Sequence, residues 1–257
     1  MNPLVVLCLT LAFLLYGGNA ITINFMNTCQ FTVWPATVNG GSSPALSTTG
    51  FELASGASRS VDVPSPWSGR FWARTGCSGG AGNFKCDTAD CGSGQVECNG
   101  KGGTPPATLA EITVAPNGGQ DFYDVSNVDG FNLPISVAPQ GGTGDCKESS
   151  CKANINAACP SDLKIQKEEL SFYPIELGCL VTGSYESVIA CKSACVAYNK
   201  SVYCCTGEYS SSSTCKPTTY SQFFSSQCPQ AYSYAYDDLK GTFTCNGGPN
   251  YAITFCP

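Results

Sequence analysis

Seventeen cysteines remain once the first twenty residues of this 257-residue chain are set aside, and that number constrains the fold more than any periodicity does. The opening segment, "MNPLVVLCLTLAFLLYGGNA", is apolar and uncharged. It ends with the small residues Gly18 and Ala20 at the −3 and −1 positions of a cleavage after Ala20. That pattern predicts a secretory signal peptide over residues 1–20. Its apolar run stops by Tyr16, short of a bilayer span, and no later segment is apolar enough, so no stable membrane anchor is expected. In an exported chain, cysteine at this density means a disulfide framework. A zinc site does not fit, because there is no Cys-x-x-Cys pair and no histidine to complete one. Seventeen is odd, so one thiol is left over.

The absence of histidine excludes whole classes of chemistry. Ser-His-Asp and Cys-His catalysis, histidine acid/base work and His-based metal hydrolysis all fall away. Any catalysis would have to use carboxylates. The net charge of −6 and the sequence pI near 4.6 argue against a nucleic-acid partner and offer no basic handle for anionic membranes. No cofactor and no metal are expected.

The first half reads as strands. "ITINFMN" alternates Ile21, Ile23 and Phe25 with polar neighbours, the period-two pattern of a half-buried strand. "FTVWPAT", "RSVDV", "GRFWART", "TLAEITV" and "DFYDVS" follow, separated by Gly, Pro and Asn turns, and "NYAITFC" closes the chain. Many short strands predict an all-β antiparallel sandwich or barrel. Between Gly76 and Gly100 lie four cysteines and seven glycines with few apolar residues, a stapled excursion with little core of its own. From Cys146 onward cysteines crowd segments of helical character, "SVIACKSACVAY" and "TTYSQFFSSQC". In the first, Val188, Cys191, Cys195 and Tyr198 would share one helical face.

Charged residues are only 12% of the chain, yet the stretch Leu109–Asn132, "LAEITVAPNGGQDFYDVSNVDGFN", holds Glu111, Asp121, Asp124 and Asp129 and no Lys or Arg. Strand alternation puts Ala110, Ile112 and Val114 on a core face and sends Glu111 outward. Asp124 takes the face opposite Asp121, Tyr123 and Val125, which leaves Asp121 as a strand-edge residue on the other side. Asp129 precedes Gly130, an ordinary turn pair. "GRFWART" carries Arg70, Trp72 and Arg74 on one face, so a guanidinium is available to hold carboxylates ionised. Tyr232, Tyr234 and Tyr236 alternate as if on one strand face. Asn199-Lys200-Ser201 is an N-glycosylation sequon.

"GNFKCDTADCGSGQVEC", Gly82–Cys98, resembles the signature of the thaumatin-like family of plant pathogenesis-related proteins. "NTCQFTVWPA", "FWARTGC", "DFYDVSNVDGFNLP", "CKSAC", "YCCTG", "CPQAYSYAYDD" and the ending "YAITFCP" match it in order along the mature chain. The resemblance implies a thaumatin-like β-sandwich core over roughly 21–76, 99–145 and 240–257. It adds a small excursion at 77–98 and a disulfide-rich subdomain of loops and short helices at 146–239. It also implies eight disulfides. These are Cys29 with Cys256, Cys77 with Cys86, Cys91 with Cys98, Cys146 with Cys245, Cys151 with Cys228, Cys159 with Cys191, Cys195 with Cys204, and Cys205 with Cys215. Cys179 is left as the free thiol. It lies in a segment, about 166–186, that is lengthened relative to the family. A tolerated insertion explains this more simply than a dimerising thiol, since long surface insertions cost little, and a monomer is expected.

The resemblance further implies an acidic cleft of one Arg, one Glu and three Asp, here Arg70, Glu111, Asp124, Asp129 and either Asp237 or Asp238. The implied ligand is β-1,3-glucan or another cell-wall polysaccharide, and the implied role is antifungal defence outside the cell or in the vacuole. Two other readings stay open. One is a weak endo-β-1,3-glucanase with Glu111 as acid and Asp129 opposite it. The other is an inhibitor or membrane-permeabilising protein that acts through surface outside the cleft.

Overall fold

Burial along the first strand alternates as its sequence does: Ile21, Ile23 and Phe25 are buried, while Met26 faces solvent. The computed structural model describes residues 20–174 and 180–257. Nearly all of the expected leader, and Cys179, fall outside the described residues. Strands β1 (Ile21–Asn27), β2 (Trp34–Asn39), β3 (Ser58–Val63), β4 (Trp67–Arg74), β5 (Leu109–Val114) and β6 (Gln120–Ser126) come first. They are followed by β7 (Ile135–Gln140), β8 (Ser149–Cys151), β9 (Lys164–Pro174), β10 (Leu180–Cys191), β11 (Phe243–Asn246) and β12 (Asn250–Phe255).

Ten of these strands form two five-stranded sheets, ordered β3-β1-β12-β7-β8 and β11-β6-β5-β4-β2. Every pairing within them is antiparallel except β1 with β12, which run parallel because the last strand returns beside the first. The sheets pack face to face as a sandwich. Phe25 of one sheet meets Phe71 of the other at 5.5 Å between ring centroids, and Tyr251 meets Tyr123 at 5.2 Å. Asp121 faces this interior. It is fully buried rather than on a strand edge, accepts hydrogen bonds from the Ala115 amide and the Tyr251 hydroxyl at 2.8 and 2.9 Å, and so ties one sheet to the other.

The outer face of the second sheet is divided in two. Over one end lies the cysteine-rich excursion, stapled by Cys77–Cys86 and Cys91–Cys98. Ala89, Cys91 and Cys98 there form a second small core with Ala36, Trp72 and Leu109. Arg74 is fully buried under the excursion, with Nε donating to the Trp34 carbonyl and Nη2 to the Val96 carbonyl. The other end of the same face is bare, and the acidic residues stand there.

Beyond the sandwich, β9 and β10 form a two-stranded sheet of their own. This hairpin corrects the helical reading of "SVIACKSACVAY". Residues 187–191 are strand, held by β9, by the Phe131–Cys191 backbone bridge and by the Cys159–Cys191 disulfide. A helix, α1 (Ala194–Tyr198), starts only after Ser193, whose hydroxyl accepts from the Val196 amide. β-branched Val188 and Ile189 favour the extended form, so the three-and-four spacing does not reflect a helical face. "TTYSQFFSSQC" is helical as expected: α2 (Thr219–Gln227) is opened by a capping box between Thr218 and Ser221. The remaining disulfides join Cys29–Cys256, Cys146–Cys245, Cys151–Cys228, Cys195–Cys204 and Cys205–Cys215. Among the described residues no helix is long and apolar enough to cross a membrane.

Candidate functional site

Register places the central residues. Arg70 on β4 lies directly opposite Glu111 on β5, and Glu111 lies directly opposite Asp124 on β6. Directly opposed residues have Cβ atoms about 4.5–5.5 Å apart, so the three side chains form one row across three adjacent strands. Arg70 Nε donates to Glu111 Oε1 at 2.9 Å. The row ends at Asp124, which is buried while Arg70 stays half exposed.

Asp129 reaches the same face from the turn after β6. The turn is closed by the Gly130 amide donating to the Asn127 carbonyl at 2.9 Å, and the Asp129 carbonyl accepts from the Ala107 amide. Gly130 has a φ of 90°, and a Cβ there would sit 2.6 Å from the Cys191 carbonyl oxygen, so the position admits only glycine. The turn that delivers Asp129 therefore depends on close backbone contact with the end of β10.

The last acid comes from far along the chain. Tyr232 is stitched to the end of β6, its amide donating to the Val125 carbonyl and its carbonyl accepting from the Asn127 amide. Tyr232 forms a β-bridge with Ser126, while Tyr234 and Tyr236 lie in the bend and turn that lead to a short helix, α3 (Asp238–Gly241), so the three share no strand face. The reason is Asp237, whose carboxylate accepts from the Ser233 amide and hydroxyl at 3.2 and 2.6 Å and folds the segment back on itself. That holds Asp237 buried and away from the groove. Asp238 instead lines the groove, and the Tyr232 hydroxyl donates to its Oδ1 at 2.9 Å.

These residues line one groove with two chambers that meet at Arg70, Glu111, Asp124 and Tyr232. One chamber, of about 370 Å3, adds Ser126, Asp129 and Asp238. The other, of about 460 Å3, runs toward Asn39, Ser68, Thr113, Phe122 and Thr242. Of the sequence-predicted residues, Arg70, Glu111, Asp124, Asp129 and Asp238 come together, and Asp237 does not. Asn199 lies outside the groove, exposed at the left-handed C-terminal cap of α1. Sequence reasoning missed Tyr232 and Phe122. Phe122 was available to it, since strand alternation puts Phe122 on the Asp124 face. Tyr232 was read only as one of three alternating tyrosines, and its place in the groove follows from its bridge to the end of β6.

Burial and charge set the protonation states. Burial, and next the neighbouring Glu111, push Asp124 up to about 8, against a smaller opposing pull from Arg70. Burial also raises Glu111, but its ion pair with Arg70 works the other way, and its side chain remains about one-third exposed. Asp129 is raised by burial and eased by Arg70. Asp124 is thus the acid of the row held furthest toward its protonated form, while the Arg70 guanidinium favours Glu111 as a carboxylate. One can donate a proton or hydrogen bond and the other can only accept.

A disulfide-stapled β-sandwich that leaves one acid-lined groove bare on its outer sheet face defines a protein class, and comparison with known sequences gives its name. The Thaumatin family model matches residues 27–257, and the chain belongs to that family. It is 61% identical over 251 residues to thaumatin-like protein 1a of Malus domestica, covering 97% of this chain and 96% of that one. A Prunus avium protein named glucan endo-1,3-beta-glucosidase is 61% identical over 255 residues, covering 98% of each chain. Pathogenesis-related protein 5 of Arabidopsis thaliana is 48% identical over 252 residues, covering 97% of this chain and 96% of that one.

Proposed function

We propose that this is a secreted plant defence protein, delivered to the apoplast or vacuole, that binds cell-wall β-1,3-glucan in the acidic groove. The observation that carries the reading is the Arg70–Glu111–Asp124 row, flanked by Asp129 and Asp238 on one open face. A sugar chain presents hydroxyls that both donate and accept. Glu111 accepts, while Arg70 and protonated Asp124 donate. Phe122, nearly half exposed in the second chamber, offers a ring face for a pyranose to pack on. The name of the Prunus avium relative points to the same polymer. Pull-down on insoluble β-1,3-glucan tests the reading. Glu111→Ala and Asp124→Ala should each leave most of the protein in the supernatant, and retention equal to wild type in both would remove the groove as the binding site.

The split in protonation favours a second reading, slow endo-hydrolysis. A glycoside hydrolase needs one carboxyl that keeps its proton and one that is ionised. On electrostatics Asp124 fills the first role in place of Glu111, which the sequence put forward as the acid, and Glu111 fills the second, with Asp129 beside them. Sugar release should then vanish in Asp124→Asn and in Glu111→Gln while the proteins still fold. No reducing ends from wild type across pH 4–7 would eliminate hydrolysis and leave binding intact.

A further inference from the structure

A second groove, of about 770 Å3, is larger than either chamber of the acidic one and shares no residue with it. It is lined by Phe31 in the loop before β2, by Trp34 at the start of β2, and by Val188 and Ile189 of β10. Leu133 and the Cys29–Cys256 disulfide also line it. Phe31 is 49% exposed, a large apolar surface left in water by a fold whose sandwich core is complete without it.

The charges at this groove are already engaged. Lys167 on β9 reaches across to Asp87 of the excursion at 2.6 Å and lies 3.9 Å from Glu169. The bridge ties the hairpin wall to the rest of the molecule and commits the one cation in the lining. An anionic ligand would meet two carboxylates and a lysine already paired, and a cationic one would have to compete with that lysine. Affinity here has to come from apolar area and from the neutral Thr, Asn and Gln side chains that share the lining. The volume lies within the range of small-molecule sites, about 300–1,000 Å3.

We propose that this groove is a second binding site, for an uncharged, mainly apolar small molecule. Its body packs between Phe31 and Ile189, and any polar end turns to the neutral amides of Gln30 and Asn154. The site is independent of the glucan reading, since no residue is shared.

Nile red, a neutral fluorogenic dye, is the probe. Titration into the wild-type protein should raise its emission saturably, and amide chemical shifts should move at Phe31, Ile189 and Asn154 but not at Glu111 or Asp124. Phe31→Asp places an unpaired charge in the wall at an exposed position that the fold tolerates. It should weaken the dye about tenfold or more while β-1,3-gluco-oligosaccharide binding stays unchanged. Unchanged dye affinity in Phe31→Asp, shifts centred on the acidic groove, displacement of the dye by the oligosaccharide, or equal affinity for the anionic dye 8-anilinonaphthalene-1-sulfonate would each overturn the proposal.

Discussion

Asp124 is where register, burial and charge meet. Its partner across the strand is Glu111, and burial holds its proton well above the ordinary carboxylate range. A folded-state pKa raised above the unfolded one stabilises the fold at acid pH, and that stabilisation is lost as pH rises toward about 8. Glu111, Asp129 and Asp121 are raised as well and act in the same direction, while Glu97, lowered by its bonds to Thr49 and Thr48, acts against them. The melting temperature should therefore fall between pH 4 and pH 8. One pKa unit is about 1.4 kcal/mol, and each kcal/mol moves the midpoint of a chain this size by about 2–4 °C. Asp124→Asn should flatten that fall by several degrees; a slope identical to wild type would show that Asp124 titrates normally. Gly130→Ala should cost on the order of 1–3 kcal/mol from backbone strain alone, with weaker glucan binding as Asp129 shifts, seen as a lower melting temperature and a lost pull-down. At this scale the sequence was legible wherever one strand's alternation decided the matter, as for Glu111 and Asp124. It was not legible for Asp237 and Asp238. These neighbours differ only because one carboxylate is spent closing a turn on Ser233.

Elements position these residues with unequal firmness. Strands β4, β5 and β6 lie inside a five-stranded sheet, flanked by β2 and β11, so the acidic row rests on paired backbone on both sides. The β9–β10 hairpin has no neighbour in its sheet, and two-stranded ribbons are marginal by themselves. Amides at 184–187 should exchange with deuterium well before those of β1 and β12, and equal protection would mean that the hairpin is clamped more firmly than its pairing suggests. Lys167→Ala should speed that exchange further, at a cost of about 0–1 kcal/mol because the pair is partly exposed. This hairpin is also where the sequence misled. Cysteine at helical spacing across Cys191 and Cys195 straddles the end of a strand and the start of a helix. Only Ser193, a helix-capping residue between them, marked the boundary. The seven strands written into the period-two segments were legible because each turns one face to the sandwich core, even though β2, β4 and β5 bury part of the other under the excursion.

Over the whole molecule, a sandwich of two sheets is closed by covalent links between distant parts. Cys29 joins Cys256 across 227 residues, and Cys146 joins Cys245 across 99. Links that close long loops restrict the unfolded chain most, so replacing Cys29 and Cys256 together by Ser should cost about 2–5 kcal/mol, read as an earlier denaturant midpoint with little change in near-ultraviolet circular dichroism. The acidic groove and the second groove beside the β9–β10 hairpin are built from different residues. Binding of β-1,3-glucan in the acidic groove underlies the proposed defence role. It is tested most directly by calorimetric titration of a soluble β-1,3-gluco-oligosaccharide into wild type, Glu111→Ala, Asp124→Ala and Phe31→Asp at pH 5. Binding about tenfold or more weaker in the first two variants, with Phe31→Asp equal to wild type, is the expected result. Equal affinity in all four folded proteins would contradict the account.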